Sequence, residues 1–126
     1  MKHRIFPILL CGLALSFAGG CHTATGNLPR VEGGKPVDYL CANGERIVAR
    51  YFSLSDHSLD FVKVRLPDGK EYTLPQVVSA SGVRYSDDRE VVWWTKGDSA
   101  FVQMRDRKGK WQIAYDKCRE NPPLRP

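Results

Sequence analysis

The chain has 126 residues, of which 42% are hydrophobic and 26% charged, and a formal charge of +5. That bounds it to one domain with one modest core. It excludes a polybasic nucleic-acid binder: without the first 20 residues, 17 basic groups stand against 14 acidic ones, a net charge of +3.

Lys2, His3 and Arg4 open the chain, Ile5 to Phe17 is almost wholly apolar, Ala18-Gly19-Gly20 is small, and Cys21 follows. This is the layout of a secretory signal peptide over residues 1–20, with an apolar run too short for a comfortable membrane span. Small residues directly before a cysteine also resemble the bacterial lipobox, in which that cysteine becomes the lipidated first residue. Ordinary signal cleavage, leaving Cys21 a spare thiol, is the alternative. Residues 21–37 read as the lipidated cysteine and a flexible tether, because Gly, Pro, Thr and Asn prevail there over large apolar groups.

From Asp38 the pattern changes to short strands and punctuated turns. Tyr39-Leu40-Cys41 leads into Asn43-Gly44, a two-residue hairpin signal. A strand runs from about Arg46 to Phe52. In Leu59–Leu66 the residues Val62, Val64 and Leu66 share one side, with Lys63 and Arg65 on the other. Pro67-Asp68-Gly69 turns the chain into Glu71–Leu74, which Pro75 ends, and Gln76–Ala80 is a further short strand. Glu90–Thr95 is β-branched and aromatic with glycine turns on its flanks. Ala100–Arg105 and a strand starting at Trp111 are separated by Lys108-Gly109, and residues 120–126 form a proline-rich tail. No amphipathic helix of ten residues is present. The expectation is an all-β domain over residues 38–119, a small antiparallel barrel of about eight strands. Cys11 falls in the leader and Cys21 at its border, so export implies a disulfide between Cys41 and Cys118 that closes nearly the whole domain.

Catalytic chemistry is poorly supplied. His57 is the only domain histidine, too few for a triad or a tetrahedral metal site. Asp87 and Asp88 are neighbours on a turn and point apart. No phosphate loop lies between a strand and a helix. No enzyme, metal or cofactor is expected. Trp93 and Trp94 face opposite sides of a regular strand, one in the core and one outward or at a rim. Ser81 precedes Gly82 and Lys96 precedes Gly97, fifteen positions apart. Each alone is an ordinary turn residue. A hairpin-like return between them would bring both to one end of the barrel.

Ser81-Gly82-Val83-Arg84-Tyr85 followed by Trp93-Trp94-Thr95-Lys96-Gly97-Asp98 closely resembles the signature of the membrane-bound and periplasmic inhibitors of c-type lysozyme. The likeness extends over about residues 38–119. It implies an eight-stranded antiparallel barrel with one disulfide, whose serine and lysine, here Ser81 and Lys96, enter the lysozyme cleft. Gly82, Tyr85, Trp94 and Gly97 would support those loops. The partners implied are c-type lysozyme, which is strongly basic, and a membrane held through a lipid on Cys21. Nucleic acid is not among them. His22, where Asp would signal inner-membrane retention, favours an outer-membrane lipoprotein facing the periplasm. Asp87, Asp88, Glu90 and Asp98 are expected to form an acidic rim near the loops. The competing reading is a structural or glycan-binding envelope lipoprotein on the same barrel that does not inhibit.

Overall fold

The structure, a computed structural model, describes residues 26–121. The readings for the signal peptide, for Cys21 and for most of the tail lie outside the described residues.

Eight antiparallel strands follow one another around a closed barrel in chain order: β1 (Val31–Leu40), β2 (Arg46–Leu54), β3 (Asp60–Arg65), β4 (Glu71–Val77), β5 (Val83–Ser86), β6 (Val91–Lys96), β7 (Ser99–Arg105) and β8 (Trp111–Glu120). The period-two alternation puts Ile47, Ala49, Val62, Val64, Leu74, Val91, Trp93 and Val102 inside, each essentially removed from water. Trp93 is the largest of them. It meets Tyr39 edge-on with ring centroids 5.0 Å apart. Its indole N–H donates to the Tyr51 hydroxyl at 3.0 Å, and that hydroxyl shares a 2.9 Å hydrogen bond with Tyr39. These three polar groups are therefore partnered with one another, as a low-dielectric interior requires.

An up-and-down order gives the barrel two mouths. One carries the connections 41–45, 66–70, 87–90 and 106–110; the other carries 55–59, 78–82 and 97–98. The seam is short: β1 pairs with β8 at Tyr39 with Glu120 and Leu40 with Arg119, extended by N–H donation from Asn121 to the Asp38 carbonyl at 2.7 Å and from Ala42 to the Asp116 carbonyl at 3.2 Å. The Cys41–Cys118 disulfide lies directly beside those pairs and spans 77 residues of sequence. On the chain-entropy account a loop of that length contributes roughly 4 kcal/mol.

Three boundaries differ from the sequence reading. The ordered domain begins at Val31 instead of Asp38, because Val31–Gly33 pairs with Leu54–Phe52 and Pro36–Leu40 with Arg50–Arg46. Gly33 and Pro36, which suggested a tether, flank a bulge in this strand. Gly33 has φ +98°, and a Cβ there would stand 2.3 Å from the Tyr51 carbonyl oxygen. Pro36 is tolerated because β1 has only one hydrogen-bonded neighbour at that point. Pro75 does not end β4: it pairs with Phe61, and β5 joins only from Gln76 onward, so its missing N–H is not needed. Finally, Gln76–Ala80 is not a separate strand. Gln76 and Val77 complete β4, and the fifth strand is Val83–Ser86, too short to declare an alternation of its own.

Candidate functional site

Strands β5 and β6 form the return that carries both singled-out residues. Val83 pairs with Thr95 and Tyr85 with Trp93, so the residue before β5 stands beside the end of β6. Ser81-Gly82 and Lys96-Gly97 thus share a mouth of the barrel. The contact is close. Gly82 has φ +66°, and a Cβ on it would lie 2.3 Å from the Thr95 carbonyl oxygen, 3.2 Å from the Trp94 indole nitrogen and 3.4 Å from Lys96 Cβ. Only glycine fits both the backbone conformation and the space.

The Ser81 backbone is held from two sides. Its carbonyl accepts the Trp94 indole N–H at 2.9 Å and the Ser79 hydroxyl at 2.7 Å. Trp94 is half-buried on the outer face of β6, packed on Phe101 at 5.5 Å with the Arg84 guanidinium 6.0 Å over its ring. Across the turn, Lys96 and Ser99 pair around Gly97 and Asp98. The Ser99 hydroxyl donates to the Lys96 carbonyl at 2.8 Å.

The two side chains themselves are left exposed. Among the described residues no carboxylate lies within ion-pairing reach of the Lys96 ammonium. Asp98, the nearest acid in sequence, is engaged by Arg119 at 3.2 Å. An exposed ammonium and hydroxyl on fastened backbone can enter a partner's cavity without first breaking internal bonds.

Tyr85 lies within the wall below this mouth. It is buried opposite Trp93, with its ring 5.8 Å from that of Tyr51. Burial, with smaller repulsion from Tyr51 and Asp60, pushes its phenol up to about 12. Tyr85 therefore anchors β5 from inside.

The acidic rim expected near the loops is corrected. Asp87, Asp88 and Glu90 sit in the connection between β5 and β6, at the opposite mouth. Four strand residues, roughly 13 Å at 3.3 Å per residue, separate them from Gly82. Only Asp98 of that group lies at the Ser81 end. Sequence reasoning also missed Ser79 and Ser99. Each lies two or three residues from the carbonyl it binds, a spacing typical of serine-closed turns.

Trp93 is 0% exposed and offers no stacking platform for a sugar, while the half-buried Trp94 is in contact with Phe101 and Arg84.

Comparison with known proteins agrees with this frame. The family described as membrane-bound lysozyme-inhibitor of c-type lysozyme matches residues 39–111, which include both turns. A membrane-bound lysozyme inhibitor of C-type lysozyme from Yersinia enterocolitica is 49% identical over 120 residues, covering 94% of this chain and 87% of that protein. The barrel is similar to the crystal structure of Pseudomonas aeruginosa MliC in complex with hen egg white lysozyme, with a TM-score of 0.56, 21% identity and coverage of 96% and 100% of the two chains. That last likeness is one of fold. From the family match and the close relative, the chain belongs to the family of membrane-bound lysozyme inhibitors of c-type lysozyme.

Proposed function

We propose that this protein is an inhibitor, not an enzyme, and that it blocks the active-site cleft of c-type lysozyme with Lys96 and Ser81. The observation that carries the reading is the shared mouth: two turns in contact through Gly82, each presenting an exposed polar side chain. The named function of the Yersinia relative supports it.

The mechanism follows from the chemistry of the target. Lysozyme needs one carboxylic acid protonated, to donate to the leaving oxygen, and a second carboxylate ionised. An ammonium docked between them favours the ionised form of both, so the general acid loses the proton it must deliver. The Ser81 hydroxyl exchanges a hydrogen bond in the same pocket, and the turns fill sugar subsites. Inhibition is then competitive with the cell-wall glycan. Gly82, Gly97 and Trp94 act by holding the turns and Tyr85 by fixing β5 in the wall.

A charge-assisted hydrogen bond is worth roughly twice a neutral one. Lys96→Ala should therefore weaken inhibition about 30-fold or more, against about fivefold for Ser81→Ala. A cell-wall lysis assay titrated with purified protein measures both. Undiminished inhibition by Lys96→Ala would remove the cleft-plug mechanism.

The same proposal includes export by residues 1–20 and lipid attachment at Cys21, making the protein an outer-membrane lipoprotein that faces the periplasm. Cys21→Ser should then move it from the membrane fraction to the soluble one; retention in the membrane would refute the anchor.

A further inference from the structure

Beside the Ser81 turn the same mouth holds an open hollow of about 430 Å³, between the 55–59 and 78–82 connections. His57, Leu59, Asp60, Gln76, Val78 and Gly82 are among the residues that line it. Gly82 is common to this hollow and to the contact with Lys96, so the two features form one continuous surface.

Two properties of its lining are unusual together. Val78 is 97% exposed, the most exposed large apolar side chain among the described residues, and Leu59 is 41% exposed. Neither has a core to join. Asp60 lines the same hollow and borders a second one beside Ser53; it is half-buried, with one carboxylate oxygen accepting the Ser53 hydroxyl. Its second oxygen has no protein partner among the described residues, and no basic side chain pairs with it there. A carboxylate without a cationic partner among the described residues, in a hollow that exposed apolar groups also line, matches the two halves of an arginine or lysine side chain, which carries an apolar stem and a charged head.

We propose that this hollow receives a cationic side chain from the rim of the lysozyme cleft, with Asp60 as its counter-ion and Val78 and Leu59 covering its methylene stem. The inference rests on the reading that lysozyme is the partner. Local charge complementarity supports it: the domain is formally positive as a whole, but the hollow presents the Asp60 carboxylate to a strongly basic partner. So does continuity with the Ser81 turn, whose carbonyl lies three residues from Val78. The Lys96 plug addresses carboxylates that catalysis requires in every lysozyme. The hollow addresses a rim position that catalysis does not fix, so it discriminates between lysozymes where the plug does not.

The test measures the affinity of the purified protein for hen egg white lysozyme by titration calorimetry at low and high salt. Wild type, Asp60→Asn, Val78→Ser and Lys96→Ala are compared. Asp60→Asn should weaken binding about tenfold at low salt and flatten the salt dependence, as loss of one desolvated charge pair does. Val78→Ser, at a position that cannot disturb the fold, should weaken binding about threefold at both salts. An equal loss for Asp60→Asn at both salts would mark a structural role and overturn the proposal. Wild-type affinity in both hollow variants, with Lys96→Ala impaired, would overturn it and leave the inhibitor reading standing. Failure of the wild-type protein to bind lysozyme would overturn both.

Discussion

The turns at the first mouth of the barrel and the two turns of the candidate site at the second are fastened differently. At the first, three connections repeat one hydrogen-bond pattern. Cys41, Leu66 and Asp106 each donate their N–H to the residue four positions on, and each accepts from a glycine three positions on, all at 2.9 Å. Asn43, Asp68 and Asp106 add side-chain oxygens that take up backbone N–H groups of the same turns. In the fourth connection the Asp87 carboxylate collects the N–H groups of Arg89, Glu90 and Val91 at 2.9–3.1 Å. The buried Ser86 hydroxyl also closes on Val91 O and Asp88 N. Polar side chains at this mouth are spent on their own backbone. At the second mouth the 55–59 connection follows that plan, with the Asp56 carboxylate taking up the Ser58 N–H, but the two turns of the candidate site are held instead by Trp94, Ser79 and Ser99. Among the described residues the Ser81 hydroxyl and Lys96 ammonium have no internal partner. The lesson is that acidic residues close in sequence to the signature serve stability at the far mouth, while the proposed binding groups sit on two turns that few side chains close.

Substitutions can break that division. Gly82→Ala should have the largest effect. The added methyl group meets the Thr95 carbonyl at a positive φ, so the expected destabilisation is roughly 2–3 kcal/mol and inhibition should fall more than tenfold as the two turns separate. Urea unfolding and the lysis assay read the two quantities on one sample. Asp87→Ala should do the reverse. It removes three hydrogen bonds from the first mouth and costs about 1–2 kcal/mol, yet inhibition of lysozyme should match wild type. Loss of inhibition at full folding would show that the mouths are coupled.

Acid sharpens the comparison with a smaller effect. Burial opposes ionisation of Asp87, but the N–H groups of Glu90, Arg89 and Val91 together outweigh it and hold its carboxyl below the usual 3.8. Backbone N–H from Lys110, with Lys108 and Gln112, does the same for Asp106. A carboxylate whose folded pKa is depressed contributes stability above its unfolded pKa and loses it as pH falls through the folded value. Below about pH 4, amide exchange at residues 89–91 and 108–110 should therefore quicken before exchange at Val83 and Thr95. Simultaneous loss of protection at both mouths would contradict separate fastening.

Much of this architecture was legible beforehand, for identifiable reasons. The alternation of Val62, Val64 and Leu66 with Lys63 and Arg65 fixes a strand with one wet face. Asn43-Gly44, Asp68-Gly69 and Lys108-Gly109 mark turns, because glycine at positive φ and an acceptor side chain are local requirements. The pairing of Cys41 with Cys118 follows from having no other partner in the domain. The residues Ser81 and Lys96 and their glycines were readable from the motif. Local rules misjudged Gly33, which a bulge against the Tyr51 carbonyl requires, and Pro36 and Pro75, which the number of neighbouring strands at each point permits.

The sequence by itself determined an all-β chain, its turns, and the pair of residues to watch, because backbone conformation and face alternation depend on near neighbours. Only the tertiary structure decided which loops share a mouth. It also decided that the Asp87–Glu90 acids face away, and that Asp60 and Val78 join the Ser81 turn around one hollow. Those outcomes depend on strand order and pairing register, which bring residues distant in the chain into contact and which no stretch of sequence specifies alone.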